Sequence, residues 1–153
     1  MDRAQIERLY ITYAPDVYRL ALSYLHSVHD AQDICHNVFA GLLGKNLQVP
    51  AQKEKPFLLT CTANACKNLL RSVWHTRVQL LDDTIPYSTE EDKSLWDAIG
   101  KLTPKYRAVI HLYYYEGYSQ GQIADILKIS RSAVQTRMDR ARQQLRKELS
   151  EDA

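Results

Sequence analysis

The sequence predicts an all-α protein made of two small helical domains joined by a linker, the second of them a helix-turn-helix. Apolar residues recur every three or four positions in nearly every segment, which gives each helix one buried face. No segment shows the alternation of a half-buried strand. A polar, acidic stretch at residues 75–91 interrupts this periodicity and predicts the linker. The predicted domains therefore span residues 1–74 and 92–153.

The first domain begins with two predicted helices that share one apolar pattern. The buried face of the first helix is predicted to hold Ile6, Leu9, Tyr10 and Tyr13. Pro15 predicts the start of a second helix, because proline is tolerated in a first helical turn but not in a helix interior. The apolar pattern then continues from Val17 to Leu25. The sequence thus predicts two helices that pack as a pair.

Two further helices complete the first domain. Asp30 is positioned to cap the third helix, which is predicted to end at Gly44. Pro56 opens the fourth helix, which extends to about Trp74. The side chains of this helix predicted to face inward are Phe57, Leu58, Cys61, Ala65 and Leu69.

The second domain is distinguished by its charge. The net charge of the chain is only +2, but residues 128–147 hold seven basic side chains and a single acidic one, Asp139. Residues 82–92, by contrast, hold five acidic side chains and no basic one. Clustered positive charge favours a nucleic-acid partner more than the net charge does. Upstream of the basic segment, Thr103 and Pro104 provide the cap and the first-turn proline of a helix. The side chains of this helix predicted to face the core are Val109, Leu112 and Tyr113.

A helix-turn-helix is predicted at the carboxyl end of the chain. Ser119 and Gln122 have the spacing of a capping box at the start of a short helix. Lys128 and Ile129 form the turn, where a glycine is often found because the backbone becomes left-handed. Ser130 then caps a last helix that extends to about residue 149, and the apolar side chains near one side of it include Val134, Met138 and Ala141. Two capped helices joined by so short a turn match the geometry that places a helix in the major groove of DNA.

The amino-terminal half of this last helix carries side chains suited to reading bases. Arginine can pair with guanine and glutamine with adenine, whereas serine and threonine serve bases or phosphates. The predicted contacts to double-stranded DNA are Ser130, Arg131, Ser132, Gln135, Thr136, Arg137 and Arg140. The more distal Arg142, Arg146 and Lys147 suit phosphates or a protein partner, as Arg137 also does. The same residues are compatible with a solvated basic face on a two-helix hairpin.

Three segments give the chain a specific resemblance to a known family. They are HDAQDICHNVFAGLL, PFLLTCTANACKNLLRS and LTPKYRAVIHLYYYEGYSQGQIADILKISRSAVQTRMDRARQQLRKEL. In this order they resemble region two, the helix that follows it and region four of the extracytoplasmic-function (ECF) sigma factors, and residues 1–149 are covered. The first segment departs from the family pattern at Gln32, His36 and Asn37, where the family more often has Glu, Gln and Glu.

The resemblance implies an alternative sigma factor that binds core RNA polymerase and directs it to promoters, with no cofactor, metal or covalent catalysis. The residues matching the polymerase-binding helix are Asp30, Asp33, Asn37 and Phe39, the last of them better suited to packing. Those matching the contacts to the melted minus-ten strand are Lys53, Lys55, Asn64, Lys67, Arg71 and Trp74. The helix-turn-helix would read the double-stranded minus-thirty-five element. A cognate anti-sigma factor is a further implied partner.

Other functions are weighed against this interpretation. A stand-alone helix-turn-helix regulator would bind symmetric half-sites as a dimer, with residues 1–74 as an effector or dimerisation domain. An enzyme has no support, since the five histidines lack the spacing of a metal site. Cys61 and Cys66 are compatible with a redox pair, although three cysteines without a motif more simply indicate reduced thiols in the cytoplasm. No apolar run reaches the roughly 18 residues of a membrane span, so direct membrane insertion is not expected.

Overall fold

The computed structural model describes residues 1–72 and 90–151, and the chain divides into two compact units between Asp83 and Thr84. Within the described residues the fold is helical with no strand, which confirms the predicted all-α class. The helices are α1 (Arg3–Leu25), α2 (Val28–Ala40) and α3 (Glu54–Leu70) in the first unit, and α4 (Glu90–Gly100), α5 (Pro104–Ile110), α6 (Gln120–Leu127) and α7 (Arg131–Glu151) in the second. Among these described helices, none is long and apolar enough to cross a membrane. The predicted linker lies outside the described residues except at its last two positions, which belong to α4.

The first unit begins with one long helix rather than the two predicted. α1 runs through Pro15 without a break, so the prediction of a separate second helix was wrong. The missing amide hydrogen of Pro15 leaves the carbonyl of Ile11 without its helical partner. Both residues are exposed, so water can hydrogen-bond to that carbonyl. Leu9 before the proline and Leu20 after it are both buried. A continuous helix allows both side chains to lie on its buried face.

The ends of α2 also differ from the prediction. Ser27, not Asp30, is the N-cap residue, and its hydroxyl accepts a hydrogen bond from the Asp30 amide at 3.2 Å. Asp30 therefore lies in the first turn, where its negative charge interacts favourably with the helix dipole. The helix ends at Ala40, and Gly44 instead has a left-handed conformation (φ +77°) in the turn that follows.

The bounds and the buried face of α3 required correction as well. The helix begins at Glu54 rather than Pro56, which lies in the first turn where its missing amide costs nothing. It ends at Leu70, before the predicted end at Trp74, which is outside the described residues. Of the side chains predicted to face inward, only Leu58 is buried. The buried apolar and hydroxyl side chains are Leu58, Leu59, Thr62, Ala63 and Cys66. Because apolar residues occur on several sides of this helix, their spacing did not identify the buried one.

A polar clasp, formed by Arg8, Tyr13 and Glu54, joins the first half of α1 to the start of α3. Arg8 donates hydrogen bonds to both carboxylate oxygens of Glu54 (Nη2–Oε2 2.6 Å, Nη1–Oε1 3.4 Å), and the Tyr13 hydroxyl donates to Oε1 at 3.2 Å. Glu54 is only 8% exposed, so its charge depends on these partners. The hydrogen bond from Arg8 lowers the pKa of the Glu54 carboxyl below its usual value. The Glu54 clasp thus ties the two helices together.

The second unit packs α4, α5 and α6 against α7. Val109, Leu112 and Met138 are fully buried, the first two of them as predicted for the helix after Pro104. Pro104 is the first residue of α5, also as predicted. Thr103 precedes it in an extended conformation, but its side chain makes no capping hydrogen bond.

A buried arginine closes the carboxyl end of α4. Arg107 on α5 is 4% exposed, and its Nη1 donates to the carbonyl oxygens of Leu102 at 2.6 Å and Gly100 at 3.3 Å. Carbonyl groups at a helix end have no partners within the helix, so a donor from elsewhere is required when they are buried. Burial lowers the pKa of Arg107 to about 10, which still leaves the guanidinium charged at neutral pH. Arg107 therefore fixes α4 to α5.

Glu54→Gln is expected to destabilise the protein and to reduce its acid sensitivity. Because the folded state lowers the pKa of Glu54, this carboxylate stabilises the fold fully above the ordinary glutamate pKa, and the contribution is lost as pH falls through the lowered value. Glutamine keeps the size but removes the charge, so we expect a loss of about 1–2 kcal/mol in the free energy of unfolding at neutral pH. Denaturant unfolding at a series of pH values from neutral to acidic measures both effects.

Glu7→Gln is the matched control, because Glu7 is an exposed glutamate on α1, next to Arg8 in the sequence. It should leave the unfolding free energy nearly unchanged. Equal losses in the two variants would contradict a stabilising role for the Glu54 clasp. A plot of unfolding free energy against pH for Glu54→Gln that runs parallel to the wild-type plot throughout the acidic range would also contradict this role.

Candidate nucleic-acid interface

Hydrogen bonds local to the sequence fix both ends of α6. The Ser119 hydroxyl accepts from the Gln122 amide at 3.2 Å, and the Gln122 side-chain oxygen accepts from the Ser119 amide at 2.9 Å. At the other end Lys128 is left-handed (φ +57°), and the Ile129 amide donates to the Ala124 carbonyl at 3.1 Å. The predicted capping box and tight turn are confirmed. Lys128 occupies the position that a glycine often takes.

The turn leads directly into α7, which begins with a capping serine. The Ser130 hydroxyl accepts from the Ala133 amide at 3.0 Å, and its carbonyl accepts from the Val134 amide at 3.1 Å. Val134, Met138 and Ala141 are buried on one side of the helix, as their spacing predicted. This burial fixes which side of α7 faces the solvent.

The exposed side of α7 carries most of the side chains predicted to contact double-stranded DNA. The exposed ones are Ser130, Arg131, Ser132, Gln135, Thr136 and Arg140. Arg137 is half-buried, and its Nη1 atom is buried with no hydrogen-bond partner in the described part of the chain. The structure therefore brings all but Arg137 of the predicted residues to an accessible surface.

Gln135 and Arg131 both contact other side chains or helices within the second unit. Gln135 Nε2 donates a hydrogen bond to Asp139 Oδ1 at 2.9 Å. Arg131 lies across Gly121 of α6, where an added Cβ atom would come within 2.9 Å of Arg131 Nη2. A side chain at position 121 would therefore force the Arg131 guanidinium to move. Sequence spacing alone indicated neither contact.

Arg142, predicted to serve phosphates or a partner, is held by two tyrosines. After α5 the chain continues as a π-helical turn, His111–Tyr115. Arg142 Nε donates to the Tyr114 hydroxyl at 2.9 Å, and its guanidinium lies 5.7 Å from the ring centres of Tyr113 and Tyr114. The hydrogen bond that Arg142 donates to Tyr114 raises the pKa of Arg142. Arg142 thus links α7 to the π-helical turn.

In the first unit, the side chains predicted to bind core polymerase lie along α2. Asp33 and Asn37 are exposed and Asp30 is half-exposed, and their spacing of three and four positions places them on one side of the helix. Phe39, in contrast, is 4% exposed and packs edge-on against Tyr10, with ring centres 5.1 Å apart. This burial corrects the assignment of Phe39 as a polymerase contact. Its aromatic ring packs on the buried side of α2, against α1.

The described residues predicted to bind the melted minus-ten strand lie on α3 and at its two ends. The exposed or half-exposed ones are Lys53, Lys55, Asn64, Lys67 and Arg71. Asn64, Lys67 and Arg71 follow one another at three and four positions and so share one side of α3. Lys55 Nζ lies 3.5 Å from Asp16 Oδ1 on α1, so this lysine is partly engaged within the unit. Trp74 lies outside the described residues.

A groove between α1 and α2 was not predicted from the sequence. It consists of two cavities of about 470 and 330 Å³ that share Tyr10 and His36 in their linings. Tyr10 was expected to be inward-facing but is 50% exposed, and the neighbouring Leu43 is 57% exposed. The sequence feature that could have indicated the groove is the number of apolar residues on α1, which is larger than one buried face of a helix can accommodate. The groove gives the first unit an accessible apolar surface.

The three cysteines are free thiols. Cys35 and Cys66 are buried and Cys61 is half-buried, and burial raises the pKa of all three. A raised pKa disfavours the thiolate, which is the reactive form. Cys61 and Cys66 are five positions apart on α3 and therefore point to different sides of it. The structure gives no support to a redox pair formed by these two residues.

Similarity to known proteins identifies the family. The model of the family described as Sigma-70 region 2 matches residues 9–76, and that described as Sigma-70, region 4 matches residues 92–145. The chain is also 28% identical, over 158 aligned positions, to the ECF RNA polymerase sigma factor SigW of Bacillus subtilis (strain 168). That alignment covers 90% of this chain and 84% of SigW. The chain belongs to the ECF sigma factors of the sigma-70 family.

Solved structures of other proteins share the fold of this ECF sigma factor. The sigma factor RpoE, in complex with the anti-sigma factor NepR from Bartonella quintana, has a TM-score of 0.72 at 19% identity, over 97% of this chain and 99% of that one. CnrH, in complex with the cytosolic domain of CnrY, has a TM-score of 0.67 at 23% identity, over 99% of this chain and 92% of that one. At such identities the likeness concerns the fold alone.

Lys128→Gly is expected to stabilise the helix-turn-helix of this sigma factor. The left-handed conformation of Lys128 costs a residue with a side chain about 1–2 kcal/mol, and glycine does not pay this cost. Part of the gain in stability is offset because glycine has greater conformational freedom in the unfolded chain. We expect a net gain of roughly 0.5–1 kcal/mol in the free energy of unfolding. Lys128→Val should instead lower stability, because a β-branched residue tolerates this conformation poorly. Thermal unfolding followed by circular dichroism separates the two changes, and a shift in the same direction for both would argue against strain at Lys128.

Proposed function

We propose that this sigma factor divides promoter recognition between its two units. The first unit binds core RNA polymerase and the melted minus-ten strand, and the second reads the double-stranded minus-thirty-five element. Directing promoter-specific transcription initiation is the function of its family. The observation that carries the assignment to the second unit is the exposed, basic amino-terminal half of α7, which follows a tight turn from a capped α6. The protein's part in this proposal is binding, with no covalent step.

For the minus-thirty-five element, we propose that α7 enters the major groove with its exposed side. Arg131 and Gln135 lie in its first turns and have the hydrogen-bonding groups that discriminate between bases. Arg140 lies further along the helix and suits a phosphate, which adds affinity but no sequence preference. The remaining proposed contacts are Ser130, Ser132, Thr136 and Arg137.

For the minus-ten element, we propose that the exposed side of α3 contacts the separated strand. The Asn64 amide can hydrogen-bond to an unstacked base, and Lys67 and Arg71 can neutralise phosphates on the same side of the helix. Lys53 and Lys55 would add positive charge at the start of α3, where the Glu54 clasp holds the backbone between them. Trp74 belongs to this set on the basis of the sequence.

For core polymerase, we propose that Asp30, Asp33 and Asn37 form the contact on α2. These side chains are accessible on one side of the helix, and the two carboxylates suit a basic partner surface. Asp33 Oδ2 lies 3.5 Å from His29 Nε2, but both side chains are more than half exposed. So exposed a pair is weak and would not prevent Asp33 from binding a partner.

We also propose that an anti-sigma factor regulates this protein. Two solved structures with the same fold support this, since one is a complex with the anti-sigma factor NepR and the other a complex with the cytosolic domain of CnrY. The apolar groove between α1 and α2 offers a surface for such a partner. Because this protein would have to reach both core polymerase and the promoter, we propose that it acts in the cytoplasm.

Run-off transcription with core RNA polymerase tests the proposed function. Core enzyme from the same source is combined with promoter fragments of its genome, with and without this protein, at one fixed salt concentration because phosphate contacts are salt-dependent. We expect transcripts from specific start sites only when the protein is present. Binding to a symmetric duplex without any such transcript would favour a stand-alone regulator instead.

Asp33→Arg is expected to weaken binding to core polymerase by about tenfold or more, because it places a like charge against a basic partner surface. Fluorescence titration of labelled protein with core enzyme, without DNA, measures the dissociation constant. Asp125→Arg is the matched control, since Asp125 is an exposed aspartate on α6 of the second unit. A folded Asp33 variant that binds core enzyme as tightly as the wild type would refute the α2 contact.

A further inference from the structure

The amide group of Gln135 has a defined orientation on the exposed side of α7. Its Nε2 donates to Asp139 Oδ1 at 2.9 Å, one helical turn further along. An ionised carboxylate can only accept hydrogen bonds, so the NH₂ group must face Asp139 and the Oε1 atom must face away from it. Gln135 therefore presents one carbonyl oxygen and one remaining amide hydrogen for a further partner.

Asp139 is in turn held by a side chain that is anchored outside α7. Arg142 Nη1 lies 3.7 Å from Asp139 Oδ1, and Arg142 Nε donates to the Tyr114 hydroxyl at 2.9 Å. The Tyr114 residue belongs to the π-helical turn, in which Leu112 is fully buried. A series of contacts thus runs from Tyr114 of the π-helical turn through Arg142 and Asp139 to Gln135.

We propose that Asp139 is a specificity-determining residue that positions Gln135 to read adenine in the minus-thirty-five element. Adenine offers the major groove an N7 acceptor and an N6 donor, so the free Oε1 atom and the free amide hydrogen of Gln135 match it. Guanine offers two acceptors, N7 and O6, and the O6 atom would meet the Oε1 atom of Gln135 without a hydrogen between them. Reversal of the amide would remove this discrimination, and the carboxylate of Asp139 opposes the reversal. The inference rests on the proposed function.

The charge of Asp139 makes its effect on specificity separable from its effect on affinity. It is the one acidic residue among residues 128–147, which otherwise carry seven positive charges. A carboxylate beside DNA repels phosphates and lowers affinity for every sequence equally. Removing the charge should therefore raise overall affinity while it lowers the preference for adenine. A purely electrostatic role for Asp139 would produce the first change without the second.

The test compares the holoenzyme, assembled from core polymerase and wild-type or variant protein, on duplexes that differ at single minus-thirty-five positions. The starting duplex is selected by the wild-type holoenzyme from a library randomised in this element. The position read by Gln135 is the one at which Gln135→Ala loses its base preference. There we expect Asp139→Asn to reduce the preference for adenine over guanine about three- to tenfold, the range expected when one side chain loses its fixed rotamer.

Asp125→Asn and Tyr114→Phe serve as comparison variants. Asp125 is an exposed aspartate on α6, so its substitution makes the same charge change and should leave the base preference unaltered. Tyr114→Phe removes the hydroxyl that binds Arg142 and should reduce the adenine preference by a smaller factor than Asp139→Asn does. All substituted side chains are exposed, and circular dichroism verifies that each variant is folded.

The outcomes distinguish this inference from the proposed function. Selection of a minus-thirty-five sequence by the wild type, with adenine preferred at the Gln135 position and reduced preference in Asp139→Asn, supports both. Selection with an unchanged preference in Asp139→Asn overturns the inference and leaves the proposed function intact. Selection with a base other than adenine at that position, or with no position sensitive to Gln135→Ala, also overturns the inference alone. No sequence selection by the wild-type holoenzyme overturns the proposed function itself.

Discussion

The left-handed turn between α6 and α7 is the constraint on which the proposed DNA-binding surface depends. Lys128 adopts a left-handed backbone conformation that residues with a side chain disfavour. This conformation allows the Ile129 amide to donate to the Ala124 carbonyl at the end of α6. α7 begins at Arg131, three residues after Lys128, and burial of Val134 fixes its rotation about its own axis. The direction in which Arg131 and its neighbours point is therefore a consequence of this turn together with the core beneath it.

Each unit also contains a buried charge whose hydrogen bonds hold two helices in place. In the first unit the Glu54 carboxylate accepts from Arg8 and Tyr13, and in the second the Arg107 guanidinium donates to carbonyl groups at the end of α4. A buried charge is costly unless it is hydrogen-bonded, so its partners must adopt one arrangement. Glu54 lies between two of the lysines proposed to contact the minus-ten strand, so the hydrogen bonds that stabilise the first unit also hold the backbone at these lysines.

The proposed surfaces of this sigma factor balance affinity against selectivity. α7 carries arginines that attract any DNA, but the same helix holds Asp139, and Arg142 is occupied by Tyr113 and Tyr114. Positive charge engaged within the protein is less available to phosphates, whereas a glutamine with a fixed amide discriminates between bases. The modest net charge of the chain is consistent with a protein that gains much of its affinity for promoters only as part of the polymerase complex.

The sequence by itself determined the features that depend on residues within one or two helical turns. These include the helical class, the capping box of α6, the Lys128–Ile129 turn, and the exposed polar side of α7 with Arg131 and Gln135. The family resemblance added the candidate residues on α2 and α3, which no local pattern distinguishes from an ordinary solvated surface.

Only the tertiary structure decided that α1 continues through Pro15, that Phe39 is buried, and that α3 packs through a different face from the one its apolar spacing suggested. The pairs Arg8–Glu54 and Tyr114–Arg142 are separated by 46 and 28 positions, and contacts of that range form only when packing brings the helices together. Capping and periodicity act between neighbours along the chain, whereas burial depends on every helix that surrounds a side chain.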